Sequence, residues 1–188
     1  DQLSLEARVP PALVKAIAYV ESGAQHCRDG SNICKPDQVK GSEAGAIGIM
    51  QIFLGPSANP EIWRTDASGI CGKDQDGTAF TVYNFTCNIK LGIHILNEGY
   101  KTYKNGNPNL EQSCPRDNAN YAKYNSYRGV AAALRAYNGW GCIYDPSKKK
   151  FADTEYVEKI VKVLQDMASG DITTEVNGRL QRIDVALE

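Results

Sequence analysis

The sequence is poor in histidine and lacks the paired-cysteine spacing of metal and redox sites. It has two histidines, His26 and His94, and no Cys-x-x-Cys pair. A zinc ligand set of ordinary spacing and a dithiol redox motif are therefore excluded. No apolar run approaches the ~18 residues of a membrane span, because Lys, Glu or Gly interrupts each one. There is no surplus of positive charge either. Lys and Arg total 21 against 22 Asp and Glu, a formal net charge of −1, whereas a dedicated nucleic-acid binder shows a basic excess. The expectation is a globular chain with no cofactor, no metal, no nucleic-acid partner and no membrane span.

What the chain does have is cysteine. Six stand in 188 residues, at 27, 34, 71, 87, 114 and 142. An even set without metal-ligand spacing reads as disulfides in an exported protein, with many connectivities open. The chain begins at Asp1 without a Met or an apolar leader, and is read as a mature form.

The apolar pattern is helical. Pro10 and Pro11 suit a helix start, because their missing N–H groups have no helical partner there. Leu13, Ile17 and Val20 follow at helical spacing, and Gly23 supplies a stop. Residues 24–44 read as a polar loop, and 44–53 as a turn leading into a helix. Further helices are expected over about Asn88–Tyr103, Arg128–Tyr137 and Thr154–Met167, separated by loops at 55–81 and 105–120. Period-two alternation is scarce. The reading is a mainly α domain over residues 1–168, followed by a weakly ordered tail over 169–188.

Glu21 follows Leu13 and Ile17 at successive i, i+4 positions, so it continues a buried stripe. A carboxyl there is partly desolvated, which raises its pKa and keeps a proton available for general acid catalysis. Pattern alone favours the plainer alternative, a helix-edge Glu that turns to solvent. His26 and His94 have no visible partner and are assigned no catalytic role.

The surrounding motifs shift the balance. Val9-Pro-Pro with Ala16-Ile17 and Glu21-Ser22 resembles the first motif of the soluble lytic transglycosylase family, which has a lysozyme-like fold. Ser42-Glu-Ala-Gly-Ala-Ile-Gly-Ile-Met-Gln-Ile52 is similar to the second, with Ile49 where Leu is usual. Ala136-Tyr-Asn-Gly139 is similar to the third, and Asn88-Ile89 with Gly92 to the helix start between them. Tyr156-Val157 with Ile160-Val161 resembles the closing helix. The motifs occur in family order over about residues 9–165.

The resemblance implies cleavage of the β-1,4 bond between N-acetylmuramic acid and N-acetylglucosamine in peptidoglycan strands, leaving a 1,6-anhydro ring. Glu21 would be the single catalytic acid and base, unlike the usual two-carboxylate glycosidase. Ser42, Met50, Gln51, Tyr137, Asn138 and Tyr156 would bind substrate or line the cleft. Tyr156 would reach the glutamate or the sugar. The implied location is extracytoplasmic, and the chain is taken as a monomer.

The chain departs from the family pattern in an insertion after Glu21 that carries Cys27 and Cys34, which could pair beside the cleft. Cys71–Cys87 and Cys114–Cys142 are the simplest remaining choices. If Asp74 or Asp76 lay about 6.5–9.5 Å from Glu21, the enzyme would instead be an inverting hydrolase. Two alternatives to the transglycosylase thus stand: a hydrolase resembling goose-type lysozyme, and an inactive glycan-binding member of the fold.

Overall fold

The computed structural model describes residues 1–53, 69–73, 75, 77, 80–142, 153–169, 174–176 and 179–181. Among the described residues its helices include α1 (Gln2–Glu6), α2 (Pro11–Ser22), α3 (Phe85–Tyr103), α4 (Leu110–Ser113), α5 (Tyr121–Ser126), α6 (Gly129–Asn138) and α7 (Tyr156–Ser169). Strands β1 (Ala46–Ile47) and β2 (Ile52–Phe53) pair antiparallel, as do β3 (Thr174–Val176) and β4 (Arg179–Gln181). The second pair lies within the stretch read from sequence as a tail. The described architecture is mainly helical.

Local signals explain where the long helices begin and end. Helix α2 starts at its proline pair and stops at Gly23, whose φ of 68° lies in the left-handed region. Asn84 caps α3 by accepting from the Cys87 N–H at 3.0 Å, so that helix begins at Phe85 rather than Asn88. Helix α3 packs on α6 through Gly99, where an added Cβ would sit 3.3 Å from the Ala133 carbonyl oxygen. Helix α7 crosses α2 and puts Val157, Ile160, Val163 and Met167 into the same core as Leu13, Ala16 and Ile17. A smaller cluster gathers Leu110, Tyr124, Ala132 and Trp140 beneath α4 and α5.

Two sequence expectations are corrected. The segment 44–53 forms a tight β-hairpin rather than a simple turn, and the helix expected after it falls on residues 54–68, which lie outside the described residues. The loop expected over 105–120 contains α4, and α5 follows directly. Helix α1 had no sequence signal strong enough to mark it.

The cysteines pair in sequence order, as Cys27–Cys34, Cys71–Cys87 and Cys114–Cys142. Closing a loop of the second size removes roughly 3 kcal/mol of chain entropy from the unfolded state. Among the described residues no helix is long and apolar enough to cross a membrane.

Candidate active site

Glu21 sits half-buried in the last turn of α2. The Tyr156 hydroxyl, arriving from the first turn of α7, donates to its Oε1 at 2.6 Å. The helix end that carries Glu21 is held from several sides. Ser22 is buried, and its Oγ lies 3.0 Å from the Ala18 carbonyl and 2.8 Å from that of Ile49. It accepts from the Gln25 N–H at 3.2 Å. Lys40 donates to the Ser22 carbonyl at 2.6 Å and to Gln25 Oε1 at 3.0 Å. A cation at this end also complements the helix dipole.

The β1–β2 hairpin forms the next wall. Ser42 Oγ accepts from the Ala46 N–H at 3.1 Å, tightening the approach to β1. Gly48 has a φ of 76°, and an added Cβ would stand 2.4 Å from Asn88 Nδ2, so no side chain fits there. Asn88 is fully buried and fully employed. Its Oδ1 accepts from the Met50 N–H at 2.8 Å, and its Nδ2 donates to the carbonyls of Ile47 at 2.9 Å and Val82 at 3.0 Å. Gln51 adopts a φ of 46° and donates from Nε2 to the Gly48 carbonyl at 2.8 Å.

His26 also holds this hairpin, correcting the expectation that it has no partner. Its Nδ1 accepts from the Ile49 N–H at 3.3 Å, which leaves the Nε2 proton for the Tyr83 carbonyl at 2.9 Å. The ring is buried and packs edge-on against Phe85. Its role is scaffolding, since both ring nitrogens are spent on backbone groups.

The third wall is the end of α6. Tyr137 donates its hydroxyl to the Met50 carbonyl at 2.8 Å, joining α6 to the hairpin. Its ring lies parallel to that of Tyr156, 6.5 Å between centroids and 6° between planes. Burial, with the Glu21 charge adding to it, pushes both phenols well above their ordinary range. Both hydroxyls therefore remain protonated donors at neutral pH.

These walls enclose a cleft of about 550 Å³, with Glu21, Ser42, Gln51, Phe53, Tyr137 and Asn138 among its lining residues. Of the residues picked out from sequence, Glu21, Ser42, Gln51, Tyr137 and Asn138 share the cleft. Tyr156 stands behind Glu21, and the Met50 side chain is buried against Gly92 in the core. Asp74 and Asp76 lie outside the described residues. Sequence reasoning missed Ser22, Lys40 and Arg135, all of which brace the site. Arg135 had a detectable signal, a charged residue inside the alanine-rich run of α6. Lys40 had none, because its partners are distant in sequence.

The arrangement is a half-buried carboxylate held by a phenol, facing a cleft of hydroxyl, amide and apolar groups. Such a surface suits a neutral polyhydroxyl ligand and can pass a proton to or from it. A family model described as the transglycosylase SLT domain matches residues 1–156. No curated protein and no solved structure matches the chain. The family match runs from the first helix through the hairpin and α6 to Tyr156 itself, and so takes in every wall of the cleft: the chain belongs to the transglycosylase SLT domain family, within the lysozyme-like superfamily.

Proposed function

We propose that the protein is a peptidoglycan lytic transglycosylase that cuts the β-1,4 bond between N-acetylmuramic acid and N-acetylglucosamine, with Glu21 as its catalytic residue. Family membership makes peptidoglycan the substrate class. The observation that carries the finer reading is the Glu21 carboxyl, held at 2.6 Å by Tyr156 at the edge of the cleft. Among the described residues that line this cleft, Glu21 is the sole carboxylate. A mechanism in which one carboxyl does both proton transfers needs no other.

In the first step Glu21 gives its proton to the glycosidic oxygen, and the bond from that oxygen to C1 of the muramic acid breaks. Positive charge develops at C1, and the substrate's own acetamido oxygen can share it. In the second step the C6 hydroxyl oxygen of the same sugar bonds to C1. Glu21, now a carboxylate, takes the hydroxyl proton and is restored. No water is consumed. Tyr156 donates to the carboxylate during the interval in which it is charged, which is where such a bond aids the reaction. The three disulfides fit an extracytoplasmic location, where thiols stay oxidised.

Digestion of purified peptidoglycan with mass analysis of the fragments tests this reading. Anhydro-muropeptides are the expected product. Products heavier by one water identify a hydrolase, and no release favours an inactive member of the fold, which binding to the same glycan would then identify as a glycan binder. Glu21→Gln should abolish release, and full activity in that variant overturns the mechanism.

A further inference from the structure

Arg135 is a charged side chain with no accessible surface, on the inner face of α6. A guanidinium removed from water needs acceptors for its N–H groups. Nε donates to the Gly139 carbonyl at 2.8 Å. Nη1 donates to the Asp153 carbonyl at 2.6 Å and to the Tyr124 hydroxyl oxygen at 3.1 Å. Nη2 donates to Asn138 Oδ1. The cation also lies over the Tyr124 ring, 4.8 Å from its centroid. These acceptors are neutral oxygens drawn from the end of α6, from α5 and from the approach to α7.

Two consequences reach the cleft. Asn138 Oδ1 also accepts from the Asp153 N–H at 3.1 Å. Two N–H donors converging on one atom identify it as the amide oxygen. The oxygen is occupied on the protein side, and the NH2, which makes no hydrogen bond among the described residues, is the end of this cleft-lining side chain left for a ligand. The second consequence runs through Asp153. Its carbonyl takes the Arg135 bond and also accepts from the Tyr156 N–H at 3.2 Å. The same guanidinium therefore helps to place the residue that donates to Glu21.

We propose that Arg135 is a positioning residue of the cleft, locking Asn138 so that it offers only N–H donors and meets a sugar oxygen that acts as acceptor. The inference rests on the glycan-cleaving reading of this cleft and adds the polarity of one contact and the residue that sets it. A lysine cannot replace Arg135, because one ammonium cannot span acceptors on three elements.

The decisive substitution is Asn138→Asp. It keeps the shape and an oxygen for both inward donors, but turns the outward donor into an acceptor. On soluble glycan strands KM should rise at least about tenfold with a much smaller change in kcat, while the thermal midpoint holds or rises beside the buried Arg135. Arg135→Lys should raise KM by a similar factor and add little when combined with Asn138→Asp. If Arg135→Lys fails to fold, Tyr124→Phe removes one acceptor of the guanidinium and keeps the ring, and KM should rise about two- to fivefold. An unchanged KM in Asn138→Asp, or in the Arg135 or Tyr124 variant, overturns the inference, as do KM effects of the two sites that multiply in full. Strand cleavage by the wild-type chain is measured alongside. Cleavage with unaltered KM in the variants counts against this inference alone, whereas no wild-type cleavage overturns the glycan-cleaving reading and this inference with it.

Discussion

Tyr156→Phe isolates the contact on which the proposed chemistry most depends. The Tyr156 ring is buried and lies parallel to Tyr137, so phenylalanine keeps the packing and removes only the oxygen 2.6 Å from Glu21 Oε1. A hydrogen bond to a charged group contributes about 1.5–3 kcal/mol. It counts toward the rate because Glu21 gains negative charge as it surrenders its proton, so the phenol binds the transition state better than the ground state. At about 1.4 kcal/mol per factor of ten, kcat should fall roughly 10- to 150-fold. KM should change little, since the hydroxyl faces the carboxylate. The assay is initial release of muropeptides from purified peptidoglycan, with a thermal melt of each variant. Tyr137→Phe is the matched control. It removes a phenol hydroxyl from the same pair, but one bonded to the Met50 carbonyl rather than to Glu21. Its main effect should be a loss of roughly 1 kcal/mol of stability. If Tyr156→Phe keeps kcat within about threefold of wild type while folded, the reasoning that assigns the phenol to the carboxylate's charge is refuted.

Two further outcomes follow from the same geometry. Gly48→Ala combines a φ of 76° with a Cβ 2.4 Å from Asn88 Nδ2, and Asn88 cannot move without giving up its bonds to Ile47, Met50 and Val82. Chemical denaturation should show a loss of at least about 2 kcal/mol, and peptidoglycan release should fall with it. The phenols of Tyr137 and Tyr156 are raised in the folded state by burial, so the unfolded chain loses those protons first as pH rises. The folded state then binds more protons than the unfolded one, and the slope of unfolding free energy with pH is negative. Stability should hold below pH about 10 and decline above it, by roughly 1.4 kcal/mol per pH unit for each phenol involved. Replacing both tyrosines with phenylalanine should lessen that decline, leaving the share due to the raised phenols of Tyr124 and Tyr127, and denaturation curves across alkaline pH measure it.

The parts of the fold visible in sequence are those decided within a few residues. Pro10, Pro11 and Gly23 bound α2 because they act on their own backbone. The stripes of α2, α3 and α7 are visible because burial follows the helical period. The hairpin over residues 44–53 was hidden because its strands are two residues each, too short for alternation to register. Its backbone is satisfied from elsewhere in the chain, by Asn88, His26, Ser22 and Tyr137. Helices α4 and α5 were hidden for a related reason. They are short and polar, and their ordering comes from Leu110 and Tyr124 packing around Trp140 beside the Cys114–Cys142 bridge.

The sequence by itself determined the helical class, the approximate course of the long helices and, through motif order, the family and the choice of Glu21 as the residue to examine. The cysteines, being even in number and without metal spacing, already pointed to disulfides. Only the tertiary structure decided which groups meet. Tyr156 reaches Glu21 across 135 positions of chain, and Tyr137 reaches Met50 across 87. Arg135, an oddity in an alanine-rich helix when read linearly, becomes a buried hub bonded to Gly139, Tyr124, Asp153 and Asn138. Helix periodicity and capping are short-range and recur wherever the same residues recur. Contacts between distant side chains depend on how whole elements pack, and packing is set by all of the core at once.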